Sequence, residues 1–150
     1  MFRSVVLSCC LALLAACSTT SVVHQSHAPA TGQVYGYAFA NEGGDDLEGI
    51  AELDSTIQGK LREAGLLAGD TAAPMKIDIV LKHYYLRSNG ARFWAGIMAG
   101  RDKIVSRVRV LGADGAQVGS FDVETTNVSA WGTSGGLMER HADEIVAKLR

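Results

Sequence analysis

Apolar residues recur along this chain with two distinct periods, and the switches between them mark its elements. Met75, Ile77, Ile79 and Leu81 alternate with Lys76, Asp78 and Lys82, with Val80 interrupting, which predicts a half-buried strand within Met75 to Arg87. Upstream, Leu47, Ile50, Leu53, Ile57, Leu61 and Ala64 recur every three or four residues while Glu52, Lys60 and Arg62 fall mostly off that stripe, the pattern of a helix with one face on a core. Leu137, His141, Ile145 and Leu149, flanked by Ala142 and Val146, predict a second such helix after Gly135-Gly136. Val34, Tyr35, Tyr37 and Phe39 alternate in part and favour a first strand over Gln33 to Ala40.

The punctuation agrees with the periods. Asp45 followed by Glu48 matches a capping box at the start of the first helix, and Gly65 suits the left-handed residue that ends it, with Leu66 folding back on the last turn. Gly49 and Gly59 each weaken that helix by up to about 1 kcal/mol relative to Ala, so tertiary packing must hold it. Asp114-Gly115 predicts a two-residue hairpin loop with Ala113 facing Ala116. Counting outward pairs Val108 with Phe121, Arg107 with Asp122 and Ser106 with Val123. Ile104, Val108, Val110, Phe121 and Val123 then share one face, and Arg107, Arg109, Asp122 and Glu124 the other. The predicted order is β-α-β-β-β-α, an α+β domain with a small, mostly antiparallel sheet and two helices on one face.

The N-terminus carries an address. Thirteen of the first sixteen residues are hydrophobic, Arg3 supplies a positive charge, and Ala15-Ala16 are the small residues required before a signal-peptidase cut. The apolar run from Val5 to Leu14 is about half the ~20 residues a spanning helix needs. Leu14-Ala15-Ala16-Cys17 resembles a bacterial lipobox, which implies cleavage before Cys17 and acylation of its thiol and its new amine. Cys9 and Cys10 would leave with residues 1–16, so the mature chain would hold Cys17 alone and no disulfide. Ser18 rather than Asp after the Cys implies, by resemblance to enterobacterial sorting, the outer membrane, with the protein facing the periplasm. Residues 17–32, rich in Ser, Thr and Ala and without a period, are expected to form the lipidated Cys and a flexible tether, and residues 33–150 the periplasmic domain.

Composition narrows the function classes. A net charge of −2 and a pI near 6.0 argue against a nucleic-acid partner. No G-x-S-x-G elbow or phosphate loop is present, and His83 and His141 each have apolar neighbours at their own periodicity, so a core or boundary role is expected for both. His24-x-x-His27 lies in the expected tether without further ligands nearby. The expectation is therefore no enzyme, no cofactor and no metal. One segment is less ordinary: Gly90 to Gly100 sets Phe93, Trp94, Ile97 and Met98 among glycines between two strands. Large apolar groups on a loop point to contact with a partner or membrane, with Phe93 and Trp94 as candidate partner contacts, or else fold back to plug the sheet's open end. Trp131 poses the same choice in the loop before the last helix, and Asn127-Val128-Ser129 matches a glycosylation sequon.

Leu61-Arg62-Glu63-Ala64-Gly65-Leu66, the Gly96 to Gly100 loop, the Asp114-Gly115 hairpin and the helix after Gly135-Gly136 together resemble a family of bacterial lipoproteins catalogued as a domain of unknown function. More distantly, the element order is similar to small periplasmic domains of the Tol system and of lipoproteins that activate cell-wall synthases or secrete curli. The resemblance implies a non-enzymatic module anchored in the membrane through acyl chains on Cys17 and binding another envelope protein. The alternative is a binder of small ligands or cell-wall fragments, held in a pocket between helices and sheet.

Overall fold

The computed structural model describes residues 17–69, 73–87, 101–127 and 133–150. The elements run β1 (Cys17–Gln25), β2 (Tyr35–Asn41), α1 (Leu47–Glu63), β3 (Met75–Tyr85), β4 (Asp102–Leu111), β5 (Gln117–Asn127) and α2 (Ser134–Leu149). They form one five-stranded sheet in the order β1-β5-β4-β3-β2, with α1 and α2 packed on each other against one face. The α+β class holds and the order becomes β-β-α-β-β-β-α.

The added strand corrects the expectation of a flexible tether. Cys17–Gln25 pairs antiparallel with β5 along its length, Cys17 opposite Asn127 and Val23 opposite Phe121. Thr19, Thr20, Val22 and Val23 are β-branched and suit a strand. As an edge strand β1 carries polar groups on both faces, so no alternation marks it; Ser21 reaches Glu144 of α2 at 2.8 Å on the helix side. The connection to β2 is tied down as well. His27 bonds the Tyr35 hydroxyl at 3.1 Å, and its Cβ stands 2.5 Å from where a side chain on Gly119 would begin. His24 and His27, spaced like metal ligands, thus serve two separate contacts, because His24 bonds Asp122 instead.

β2 and β3 are parallel, joined by α1 as the crossover, and the remaining three pairings are antiparallel. The predicted hairpin register holds for Val108 with Phe121, Arg107 with Asp122 and Ser106 with Val123. Its turn differs. Gly115 donates to the Gly112 carbonyl at 2.9 Å with a φ of +79°, so the loop has three residues, Ala113 to Gly115. An irregularity between Val110 and Leu111, with Val118 as the extra residue of β5, restores the register.

Ile50, Leu53, Ile57 and Leu61 of α1 are buried against Ile77, Ile79, Leu81, Ile104, Val108 and Val110 of the sheet and against α2. Leu47 is 74% exposed and lies off the core, correcting its place on the stripe. The cap also moves one residue: Asp46, not Asp45, accepts from the Gly49 amide at 3.1 Å. At the other end Gly65 has a φ of +69°, and the Leu66 amide reaches the Leu61 carbonyl at 2.9 Å, the expected left-handed stop with Leu66 buried. In α2 the Gly135-Gly136 pair falls inside the first turn instead of before it, because Thr133 caps the helix by accepting from the Gly136 amide at 3.1 Å.

Candidate functional site

The register sets Cys17 at one end of the sheet. Cys17, Asn127 and Asp102 lie in a row across β1, β5 and β4. On the next strand Arg87, just past β3, is buried with its side chain on Asp102. Its amide and Nε donate to Asp102 Oδ1 at 2.8 and 3.1 Å, and an Nη donates to Oδ2 at 3.3 Å. Neither side chain has any exposed surface. A pair so desolvated adds little net stability, but removing one partner strands the other charge and costs about 3–5 kcal/mol.

Arg87 and Asp102 bracket residues 88–100. Phe93 and Trp94 belong to that segment and lie outside the described residues, as does Trp131 within residues 128–132. The described residues on either side of both segments, Arg87, Asp102, Asn127 and Thr133, stand at the end of the sheet where Cys17 enters. Asn127 has no exposed surface, which removes it as a glycosylation acceptor in the folded chain.

The N-termini of both helices reach the same end. Between them runs a cleft of about 330 Å³, lined by Asp46, Glu48, Glu52, Tyr84, Leu86 and Met138 among others. Tyr84 is 7% exposed, and its hydroxyl has no hydrogen-bond partner. Burial, then the charges of Asp46 and Glu52, hold this phenol above its ordinary range, so it stays a neutral hydroxyl. Its seat depends on Gly49, where a Cβ would run into the Tyr84 hydroxyl and come within 2.6 Å of Asp46 Oδ2.

The helix-free face carries a different chemistry. Arg107 grips Asp122 with Nε and an Nη at 2.8 and 2.9 Å, and His24 approaches the same carboxylate at 2.9 Å. The Arg107 bond, aided by His24 and opposed by burial, lowers Asp122 to about 2. Lys82 pairs with Glu42, Lys103 with Glu124 and Arg109 with Asp78. A cleft of about 420 Å³ over Val80 is lined by Lys82, Arg107 and Arg109, each of which already faces a carboxylate. Val80 is buried beneath them, which explains the break in the β3 alternation: both faces of that strand are covered.

His141 occupies the core, as the core-or-boundary expectation had it, with Nδ1 on Thr125 Oγ1 at 3.0 Å and Nε2 on Ser106 Oγ at 2.8 Å. Burial lowers it to about 3, so it is neutral and unreachable by substrate. His83 departs from that expectation and is exposed, because the irregularity between Leu81 and His83 leaves it on the open face opposite Val105. Among the described residues no three His, Cys, Asp or Glu groups stand close enough to ligate one metal ion.

No protein-family model matches the chain, and no curated protein matches it. Solved structures do. Two crystal forms of the PelC dodecamer from Paraburkholderia phytofirmans superpose with TM-scores of 0.63 and 0.59 at 13% identity, covering 88% of this chain and 97% of PelC. At that identity the likeness is one of fold.

Proposed function

We propose that this chain is a lipid-anchored protein of the bacterial envelope, without enzymatic activity, whose domain sits against the membrane and binds another envelope protein there. The observation that carries this reading is the place of Cys17. The lipobox cysteine is the first residue of a strand in the sheet, so acyl chains on it would join the bilayer to the folded domain with no linker between. Two or three such chains, each methylene contributing about 0.8 kcal/mol, make a lasting anchor where one makes a marginal one. Ser18 after the cysteine favours the outer membrane, facing the periplasm. The binding role draws support from PelC, a dodecamer on this same fold, and from the burial of the Ser106–His141 contact, which gives that pair a structural task.

Phe93 and Trp94 are the candidate contacts, and in the sequence they lie between Arg87 and Asp102, which pair with each other. The test is a photo-crosslinking amino acid in place of Trp94 in living cells, with adducts identified by mass spectrometry. A discrete adduct to an envelope protein, or to a second copy of this chain, supports the reading. Lipid adducts alone assign the segment to the bilayer and overturn it as a partner contact, as does a folded protein with no adduct. A second reading, binding of a small ligand, is favoured by the cleft beside Tyr84.

A further inference from the structure

We propose that copies of this chain join edge to edge, β1 of one copy pairing antiparallel with β2 of the next, so that the sheet continues from copy to copy. Sheets usually guard their edges with charge or proline. Here the distribution is reversed. The interior strands β3, β4 and β5 carry charged residues such as Asp78, Arg107 and Asp122, whereas the edge strands β1 and β2 contain no Lys, Arg, Asp, Glu or Pro. The one irregularity of β1 comes at its far end, after Val23. Val22 and Val23 are both exposed on this uncharged edge.

Both edges offer backbone groups to a further strand. The Tyr35 amide and carbonyl turn away from β3, to Leu66 and Ala68, and the Glu42 amide turns inward to the Leu81 carbonyl. Alternation along the strand then points the amides and carbonyls of Tyr37, Phe39 and Asn41 outward, where no described residue bonds them. Carried across the sheet through the observed pairings, the same alternation turns Thr19, Ser21 and Val23 away from β5. The two edges also match in height. Val23, Phe121, Val108, Ile79 and Phe39 form one row across the sheet, and Ser21, Val123, Ser106, Leu81 and Asn41 form another. Copies side by side at one height therefore set Val23 opposite Phe39 and Ser21 opposite Asn41, and in both pairs the backbone groups point into the joint. Val22 meets Ala40 between them, so apolar meets apolar on both faces.

Direction selects the partner edge. β1 and β2 run in opposite directions within the sheet, so a neighbour in the same orientation presents an antiparallel strand and keeps its Cys17 at the same end. Two β1 edges would instead pair about a two-fold axis, with their Cys17 residues at opposite ends, where one bilayer could not hold both. This choice of β2, and the common height, rest on the anchoring proposed above, whereas the open edges do not. A head-to-tail joint of this kind closes into a ring when the turn from copy to copy divides the circle.

The test is the full chain carrying Val22→Cys with Ala40→Cys, expressed in cells and run on a non-reducing gel. Within one copy these positions lie on opposite edges, four strand spacings or roughly 19 Å apart, so a disulfide between them joins two copies. Across the joint they form a non-hydrogen-bonded pair with Cα atoms about 4.5 Å apart, inside disulfide range. The expected result is a ladder of dimers, trimers and larger species, absent from the parent chain and from each single variant. Val22→Cys with Ala38→Cys, two residues out of register and roughly 8 Å apart, should give no ladder. Val22 and Ala40 are exposed, so the double variant should melt like the parent when reduced. A folded double variant without a ladder overturns the joint. Equal ladders from the Ala40→Cys and Ala38→Cys combinations overturn its register, and a dimer from Val22→Cys alone overturns it in favour of β1 pairing with β1. Labelled palmitate on the same samples separates the two readings. Label without a ladder leaves the anchor standing and overturns the joint, whereas a ladder without label supports the joint and overturns the anchor.

Discussion

His141 shows how one buried side chain couples this fold to pH. The unfolded chain protonates histidine near 6.5, and the folded one holds His141 neutral to about 3. Unfolding therefore takes up a proton between those values, so the stabilisation is complete above pH 6.5 and falls by about 1.4 kcal/mol per unit as pH drops toward 3. Chemical denaturation at pH 7.5 and 5 should show a loss of about 2 kcal/mol from this residue. His141→Asn, which keeps hydrogen-bonding groups for Thr125 and Ser106, should flatten that part of the slope; an unchanged slope would remove His141 as its cause. A simpler contrast lies in α1: Leu47→Gln, at a residue 74% exposed, should change stability by under about 0.5 kcal/mol, whereas Leu53→Ala in the core should cost about 2–5 kcal/mol. The sequence marks both as members of one stripe. Position 47 stays out because helices fray at the first turn, ahead of the sheet's cover.

Among the elements, β1 changes the picture most. It covers the edge of β5, so a chain lacking residues 17–25 should melt at lower temperature and aggregate, as an exposed strand edge invites pairing between copies. An unaltered melting curve would mean the pairing contributes nothing. Strands β3, β4 and β5 and both helices are legible in the sequence because each has one face in a shared core, and one-sided burial forces a period on the residues. β1 escapes because a hydroxyl-rich edge strand buries neither face fully. Within the hairpin, the pairing of Arg107 with Asp122 is legible from charge and face, while the three-residue turn and the compensating extra residue are not. Those two shifts cancel, and both local solutions satisfy the same sorting of faces.

For the whole molecule, the end of the sheet that gathers Cys17, the Arg87–Asp102 pair and both helix N-termini is the feature to test. Asp102→Ala should destabilise the chain by about 3–5 kcal/mol by removing the carboxylate that faces the buried Arg87 guanidinium, measured by thermal and chemical melts. Asp102→Ala melting like the parent would refute the Arg87–Asp102 pair as a structural clamp. In cells, labelled palmitate should enter the protein and fail to enter Cys17→Ser, with the latter released from the membrane fraction. Incorporation in the variant would place the lipid elsewhere. The candidate contacts Phe93 and Trp94 were legible as an anomaly of composition, since large apolar side chains among glycines stand out in any sequence. The cleft was not, because Asp46 and Glu52 belong to α1, Tyr84 to β3 and Met138 to α2, and each looks ordinary alone.

The sequence by itself determined the α+β class, the core faces of both helices and the register of the long hairpin, and it carries the patterns that resemble an export signal and a lipobox. Each of these is set by neighbours along the chain or by a period that burial imposes. Only the tertiary structure decided that Cys17 begins a strand, that β2 runs parallel to β3, that Val80 is covered, and that the Tyr84 hydroxyl is buried beside Gly49 without a partner. Those facts depend on which elements become adjacent. Adjacency is settled by summed packing and hydrogen bonding across the sheet, which leaves no period in the residues taking part.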